Sequence, residues 1–186
     1  MGKNAEAQAV REREAKIHRE WLHRGRYIQL RKDVIEIENA PIKTWELIVH
    51  PGAVAIIPID AKGDLILVEQ WRCAIEKITL EIPPGTLNSG ELPLGCAQRE
   101  LQEETGYKAH ILTPLGGCYS APGISNEYVY LYIGEKLEKS PLIADDTDLI
   151  DIRTVSVKKA LEMIEEGSIT DAKTIVGILR YQSRQS

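Results

Sequence analysis

The sequence predicts an α+β fold or a three-layer α/β/α arrangement, and three observations lead there. Short strand-like runs recur from residue 27 to residue 157. A single helical pattern, residues 93–105, interrupts them, and two further helical patterns follow one another at the C-terminal end. Strands that come mostly before helices, with one helix inserted, point to helices packed on sheets rather than to a strict βαβ repeat.

Each element has a local reason. Residues 3–22 are rich in Lys, Arg, Glu and Ala and read as a weakly amphipathic helix or a mobile arm. Residues 27–30, 34–38 and 44–49 are half apolar and half polar, which suits a small sheet with one covered face, and Asn39-Ala40-Pro41 supplies a turn. Pro51-Gly52 then separates this part from a more apolar region, so the chain divides into residues 1–50, an arm plus small sheet, and residues 51–186, the main domain. Runs 53–59 and 64–69 flank Asp60-Ala61-Lys62-Gly63 and read as a hairpin. Residues 78–82 form a strand closed by Pro83-Pro84-Gly85, and residues 109–115 and 128–133 form two more around the loop 120–126. A last strand, 150–157, leads into helices over 158–166, stopped by Gly167, and 171–182. No internal repeat and no low-complexity tract is present.

Bulk properties exclude several classes. The chain has 186 residues, 43% hydrophobic and 27% charged, as in ordinary globular proteins. No run approaches the roughly 18 apolar residues of a membrane span. The charged N-terminus is unlike a secretory signal, and Cys73, Cys96 and Cys118 are too scattered for a disulfide or zinc framework, so the expected compartment is the cytoplasm. A net charge of −5 argues against nucleic acid or an anionic membrane as partner. It suits an enzyme acting on phosphates only if divalent cations invert the local field.

The segment that carries chemistry runs from Gly85 to Tyr107. Pro93 suits the first turn of a helix and Gly106 the position past its end. Between them Glu100, Glu103 and Glu104 stand at i, i+3 and i+4, so three carboxylates share one face. Leu94, Ala97 and Leu101 make an apolar stripe to pack on a sheet. Like charges at such spacings repel by a few tenths of a kcal/mol per pair, roughly 0.2–0.5. Arg99 relieves part of this, and a hard cation that takes carboxylates, water and phosphate oxygens would relieve the rest. Taken alone, RExxEE on a helix is more readily a solvated acidic face. The spacings of the glycines, of Glu91 and of the flanking aliphatic residues tell against that.

The segment matches the Nudix box, Gx5Ex7REUxEExGU with U a bulky apolar residue, at every defined position, with Tyr107 as the last U. The resemblance implies an α/β/α sandwich with a mixed sheet, preceded by a small antiparallel sheet that takes part in dimerisation. It implies Mg²⁺ or Mn²⁺ as cofactor and hydrolysis of a nucleoside diphosphate linked to another group. By the same resemblance Glu100, Glu103 and Glu104 are metal ligands together with the carbonyl of Pro84. Arg99 orients the glutamates and Glu91 ties down the loop.

Features outside the box resemble the ADP-ribose pyrophosphatase branch. Pro122, followed by Gly123, lies 16 residues past Gly106, although Pro-Gly would read equally as a tight turn between two strands. Glu69-Gln70-Trp71-Arg72 followed by Glu81-Ile82-Pro83-Pro84-Gly85 is similar to the branch's EQYR … ELPAG pattern. The likeness makes Arg72 a contact to the substrate's phosphates, for which a planar fork of donors is suited; a surface salt bridge is the plainer alternative. Glu81 is either a supporting ligand or a sheet-edge charge. Trp45, followed by Glu46, falls where the branch carries an adenine-stacking aromatic, though a core or interface tryptophan would read the same way. The general base in this branch comes from an acidic loop, here Asp145-Asp146-Thr147-Asp148. Asp148 matches a position where Glu is usual, with Asp146 or Glu103 as substitutes. The implied enzyme is a homodimer with a shared site that converts ADP-ribose to AMP and ribose 5-phosphate. A GDP-sugar, a dinucleoside polyphosphate, FAD or NADH are alternative substrates. A non-catalytic nucleotide sensor is a further alternative, against which the complete box stands.

Overall fold

A computed structural model describes residues 2–25, 28–143 and 149–185. The chain forms two compact units, Met1–His50 with Ala121–Glu127, and Pro51–Ser120 with Tyr128–Ser186.

The first unit opens with helix α1 (Lys3–Glu14), which buries no residue. Strands β1 (Lys16–Arg24), β2 (Gln29–Glu36) and β3 (Lys43–Val49) then pair antiparallel in that order. The helix expected over residues 3–22 thus stops at Glu14. Ala15 turns extended, and residues 16–24 satisfy their backbone groups by pairing with β2 instead. Ile17 and Trp21 favour a pleated surface, and that tertiary pairing overrides the helical composition around them. The two strands expected over 27–30 and 34–38 are one strand, β2. Its charged centre does not break it, because Arg31 Nη2 donates to Asp33 Oδ2 at 3.0 Å and Lys32 pairs across the sheet with Glu20 at 3.6 Å. The turn at Asn39 is present, with Asn39 at φ 59°. Segment Ala121–Glu127 docks on the end of β3: Ile48 N donates to the Ile124 carbonyl at 2.8 Å, and His50 N to Asn126 Oδ1 at 2.8 Å.

The second unit holds two sheets. Strands β4 (Ala53–Pro58), β7 (Pro84–Thr86), β8 (Tyr107–Tyr119) and β9 (Tyr128–Lys139) form a mixed sheet in the order β7-β4-β9-β8, in which only β4 and β9 run parallel. Strands β5 (Leu65–Arg72), β6 (Lys77–Glu81) and β10 (Asp151–Val155) form an antiparallel sheet, β10-β5-β6. The hairpin expected between residues 53–59 and 64–69 is therefore reduced to one bridge, Ile59 to Leu65, after which the two strands part into different sheets. Both edges of β4 are already taken by β7 and β9, so β5 has no place beside it. The turn itself forms as read: Lys62 N and Asp64 N both donate to Asp60 Oδ1, and Gly63 sits at φ 85°.

Alternation along β4 places a layer on each side of the mixed sheet. Ala55 and Ile57 pack with Ala160 and Met163 of α3 (Val157–Glu165) and Ile178 of α4 (Ala172–Gln185). Val54 and Ile56 pack with Cys96, Ala97 and Leu101 of α2 (Pro93–Thr105). The result is an α/β/α sandwich, and α2 keeps the bounds that Pro93 and Gly106 predict. Its buried stripe differs from the expected one: Cys96, Ala97, Leu101 and Thr105 are buried, whereas Leu94 is 52% exposed. Leu94 keeps a heptad spacing to Leu101 but stands in the first turn.

Candidate active site

The site is built where β7 runs against α2. Pairing of Ala55 with Pro84 and of Val54 with Gly85 fixes the backbone of β7 on the central strand. Helix α2 starts on Pro93 and ends on Gly106, whose φ of 72° lets its N–H donate to the Gln102 carbonyl at 3.0 Å. Between β7 and α2 there is no room for a side chain at residue 85. A Cβ there would lie 1.9 Å from Glu100 Cγ and 2.4 Å from Glu100 Oε1. The glycine therefore lets the backbone beside the Pro84 carbonyl lie against the Glu100 carboxylate. Gly85→Ala is expected to push Glu100 off this position, lowering any activity that relies on that carboxylate about tenfold or more while leaving the helix content unchanged. Activity and far-UV circular dichroism of the purified variant test this, and unchanged turnover would mean that the close approach is dispensable.

Arg99 is the hub. Its Nε donates to Glu91 Oε1 at 2.9 Å and its Nη2 to Glu91 Oε2 at 2.9 Å, a bidentate pair. Its Nη1 donates to Glu100 Oε1 at 2.7 Å and to Glu103 Oε2 at 2.8 Å. Glu91 also accepts from Asn88 N at 2.9 Å, so the loop before α2 is tied to the helix. These contacts set the charges. The Arg99 hydrogen bonds hold the Glu91 carboxyl at about 2. Burial raises the Cys96 thiol to about 12, leaving it inert beside them. Burial also pushes the Glu100 carboxyl up to about 7, and Glu103 and Glu91 add to that, against the pull of Arg99.

One guanidinium thus serves three carboxylates, and a partly buried fourth, Glu104, lies on the same helix. The donors are hard oxygens with an excess of negative charge, and the glycine cradle keeps the backbone at residues 84 and 85 close to them. This set fits a divalent cation of the Mg²⁺ type. Among the described residues no three acidic, histidine or cysteine side chains already converge as a cage; Glu100 and Glu103 are gathered by Arg99 instead.

A second cluster adjoins the first. Arg72, at the end of β5, donates through Nε to Glu81 Oε1 at 2.7 Å and through Nη2 to Glu81 Oε2 at 2.6 Å. Glu81 is 1% exposed and also accepts from Thr79 Oγ1 at 2.6 Å and from Lys173 Nζ. Burial would raise its carboxyl, but the Arg72 and Lys173 interactions outweigh it and bring it down to about 2. Arg72 is raised in turn, first by its hydrogen bonds to Glu81, with the charges of Glu104 and Asp171 contributing. The charge of Glu104 thus reaches Arg72, which brings the two clusters within electrostatic range of each other. Arg72 is therefore an ion-pair partner, but of a buried carboxylate rather than a surface one. The cluster borders a cavity of about 340 Å³, lined by Arg72, Thr79, Glu81, Thr170, Asp171 and Lys173.

The remaining sequence candidates divide as follows. Trp45 and Glu46 are exposed on β3, and Pro122 and Gly123 are exposed in the segment that docks on β3, so these four share the first unit. Asp146 and Asp148 lie outside the described residues. Sequence reasoning missed Asp171, Lys173 and Thr79. Asp171 followed by Thr174 was legible as a helix cap, and Thr174 N does donate to Asp171 Oδ2 at 2.9 Å. Nothing local revealed that Lys173 reaches a residue 92 positions earlier.

The NUDIX domain model matches residues 49–175. The chain is 35% identical over 177 residues to the ADP-ribose pyrophosphatase of Bacillus subtilis (strain 168), covering 93% of this chain and 95% of that protein. It is likewise 35% identical to the methanol dehydrogenase activator of Bacillus methanolicus, covering 93% and 95%. An ADP-ribose pyrophosphatase of Mycobacterium tuberculosis (strain ATCC 25618 / H37Rv) is 32% identical, covering 88% and 80%. A crystal structure of an ADP compounds hydrolase superposes with a TM-score of 0.81 at 22% identity, covering 91% of this chain and 92% of that one, which is a likeness of fold. The box, the sandwich that carries it and these matches together establish that the chain belongs to the NUDIX family.

Proposed function

We propose that this enzyme hydrolyses ADP-ribose to AMP and ribose 5-phosphate with Mg²⁺ or Mn²⁺. The observation that carries the proposal is the Arg99 hub, which orders Glu91, Glu100 and Glu103 beside the Pro84–Gly85 backbone. Two relatives named ADP-ribose pyrophosphatase support the substrate. The Pro84 carbonyl, Glu100, Glu103 and Glu104 would hold the cation. When bound, it supplies charge neutralisation on the diphosphate and lowers the pKa of coordinated water.

The protein's own groups do the rest. Arg72 presents its fork to the diphosphate, from a side chain already oriented by Glu81. Trp45 offers its exposed ring to the adenine, where stacking contributes about 1–3 kcal/mol by analogy with single-strand binders. Glu46, Pro122 and Gly123 line the nucleotide side. Water attacks one phosphorus, the bridging P–O bond breaks, and a carboxylate accepts the proton of the water. Asp148 takes that proton, with Asp146 and Glu103 as alternates. Asp148→Asn should then lower kcat about 10²-fold, with KM changed far less. Steady-state kinetics on the variant test it; an unchanged kcat moves the role to Asp146 or Glu103. The enzyme works as a cytosolic homodimer, in which residues 1–50 supply the arm and small sheet of the interface and part of the nucleotide site.

A second reading, that the chain stimulates a methanol dehydrogenase, is favoured by the relative of that name. A substrate panel decides between them. ADP-ribose, GDP-mannose, a dinucleoside polyphosphate, FAD and NADH are incubated with enzyme and Mg²⁺, and a methanol dehydrogenase is assayed with and without it. Fastest release of AMP from ADP-ribose is expected. Preference for another member of the panel would overturn the substrate assignment.

A further inference from the structure

We propose that Lys173, on the C-terminal helix, is a positioning residue that fixes the orientation of Arg72 through Glu81. The functional part of this rests on the reading of Arg72 as the contact to the diphosphate. The geometry carries the rest. Glu81 binds Arg72 with both of its oxygens, and a carboxylate so placed could still rotate about its own side-chain bonds. Two further donors stop it from opposite sides in sequence: Thr79 Oγ1 on Oε1, from its own strand, and Lys173 Nζ on Oε2, from α4. Lys173 is itself held, because its Nζ donates to Asp171 Oδ1 at 2.8 Å. Asp171 is anchored in turn by Thr174, whose N–H and Oγ1 both donate to Asp171 Oδ2, at 2.9 and 2.5 Å. Thr174 closes the chain of contacts by accepting from Ile82 N at 3.0 Å, next to Glu81.

Such a clamp has a physical purpose here. The cavity of about 340 Å³ opens beside Arg72 and Glu81, so a guanidinium released from Glu81 has room to move. Ordering a long side chain before substrate arrives removes that entropy cost from binding. A buried carboxylate with one cation would hold Arg72 alone; with two cations it becomes a fixed bridge between β6 and α4. The last helix thereby acts on Arg72 through Glu81.

The full-length chain, labelled with ¹⁵N-arginine, tests this. The solvent exchange of the Arg72 Nε–H is measured by NMR in wild type, Lys173→Met and Lys173→Arg, with KM and kcat for ADP-ribose on the same samples. Lys173→Gln serves if the Met variant does not fold. Lys173→Met should speed the Nε–H exchange about tenfold and raise KM about tenfold with kcat within about twofold, and Lys173→Arg should restore most of both. In an Arg72→Ala background, Lys173→Met should leave KM unchanged, since the two residues act as one unit. A purely structural lysine would lower the melting temperature without this coupling. Wild-type exchange in Lys173→Met would overturn the proposal whatever the kinetics. Faster exchange with an unchanged KM upholds the positioning and removes Arg72 from the diphosphate instead.

Discussion

Glu104→Gln is expected to lower turnover of ADP-ribose by about 10³-fold or more, while the protein stays folded. If Glu104 holds the cation as proposed, its loss forfeits several kcal/mol of charge stabilisation, and about 4 kcal/mol corresponds to that factor. The substitution is nearly isosteric and leaves the Arg99 hub intact, since the bonds from Arg99 go to Glu91, Glu100 and Glu103. Arg72 keeps its bidentate partner Glu81, so it too should stay in place. Kinetics with added Mg²⁺ and a melting curve on one preparation are sufficient. Full activity in Glu104→Gln would show that this carboxylate holds no cation.

Glu81→Gln should have the largest effect on stability. Glu81 is 1% exposed and bound by Arg72 and Lys173, so an amide in its place leaves Arg72 without its ion-pair partner and Lys173 with Asp171 as its remaining counter-charge. Breaking a buried pair from one side costs about 3–5 kcal/mol. The pH dependence separates this from a simple packing defect. The folded protein holds Glu81 at about 2, below the ordinary 4.5 of a glutamate. Its contribution is therefore complete above about pH 5 and fades as the pH falls toward 2, on the order of 3 kcal/mol in all. Urea unfolding of wild type and variant should show a wide gap at pH 7 that narrows as the pH is lowered. A gap that stays constant down to pH 3 would contradict the ionised bridge.

The parts of the site that obey local rules were legible in the sequence. Pro93 and Gly106 bracket α2, and the i, i+3, i+4 spacing gathers Glu100 and Glu103 on the face that Arg99 reaches. The close approach at Gly85 was legible only as a glycine that the family pattern demands; its reason, the Glu100 side chain 1.9 Å from any Cβ, is tertiary. Where long-range pairing decides, local reading failed. Residues 16–24 carry a helix-like composition and become a strand because β2 offers them partners. Residues 53–59 and 64–69 carry a good turn yet separate, because β9 and β7 occupy both edges of β4. The link from Lys173 to Glu81 spans 92 positions and leaves no periodic trace. The stripe on α2 was read correctly at Ala97 and Leu101 and wrongly at Leu94, which is 52% exposed.

The most direct test of the central claim is product analysis of ADP-ribose hydrolysis. Purified enzyme with Mg²⁺ is incubated with ADP-ribose, and phosphorus-containing products are followed by ³¹P NMR and chromatography. Cleavage at the diphosphate predicts AMP and ribose 5-phosphate in equal amounts, with release halted by a chelator and restored by Mg²⁺ or Mn²⁺. ADP-ribose left intact while the same enzyme cuts another diphosphate, or cleavage that yields ADP and free ribose, would contradict it.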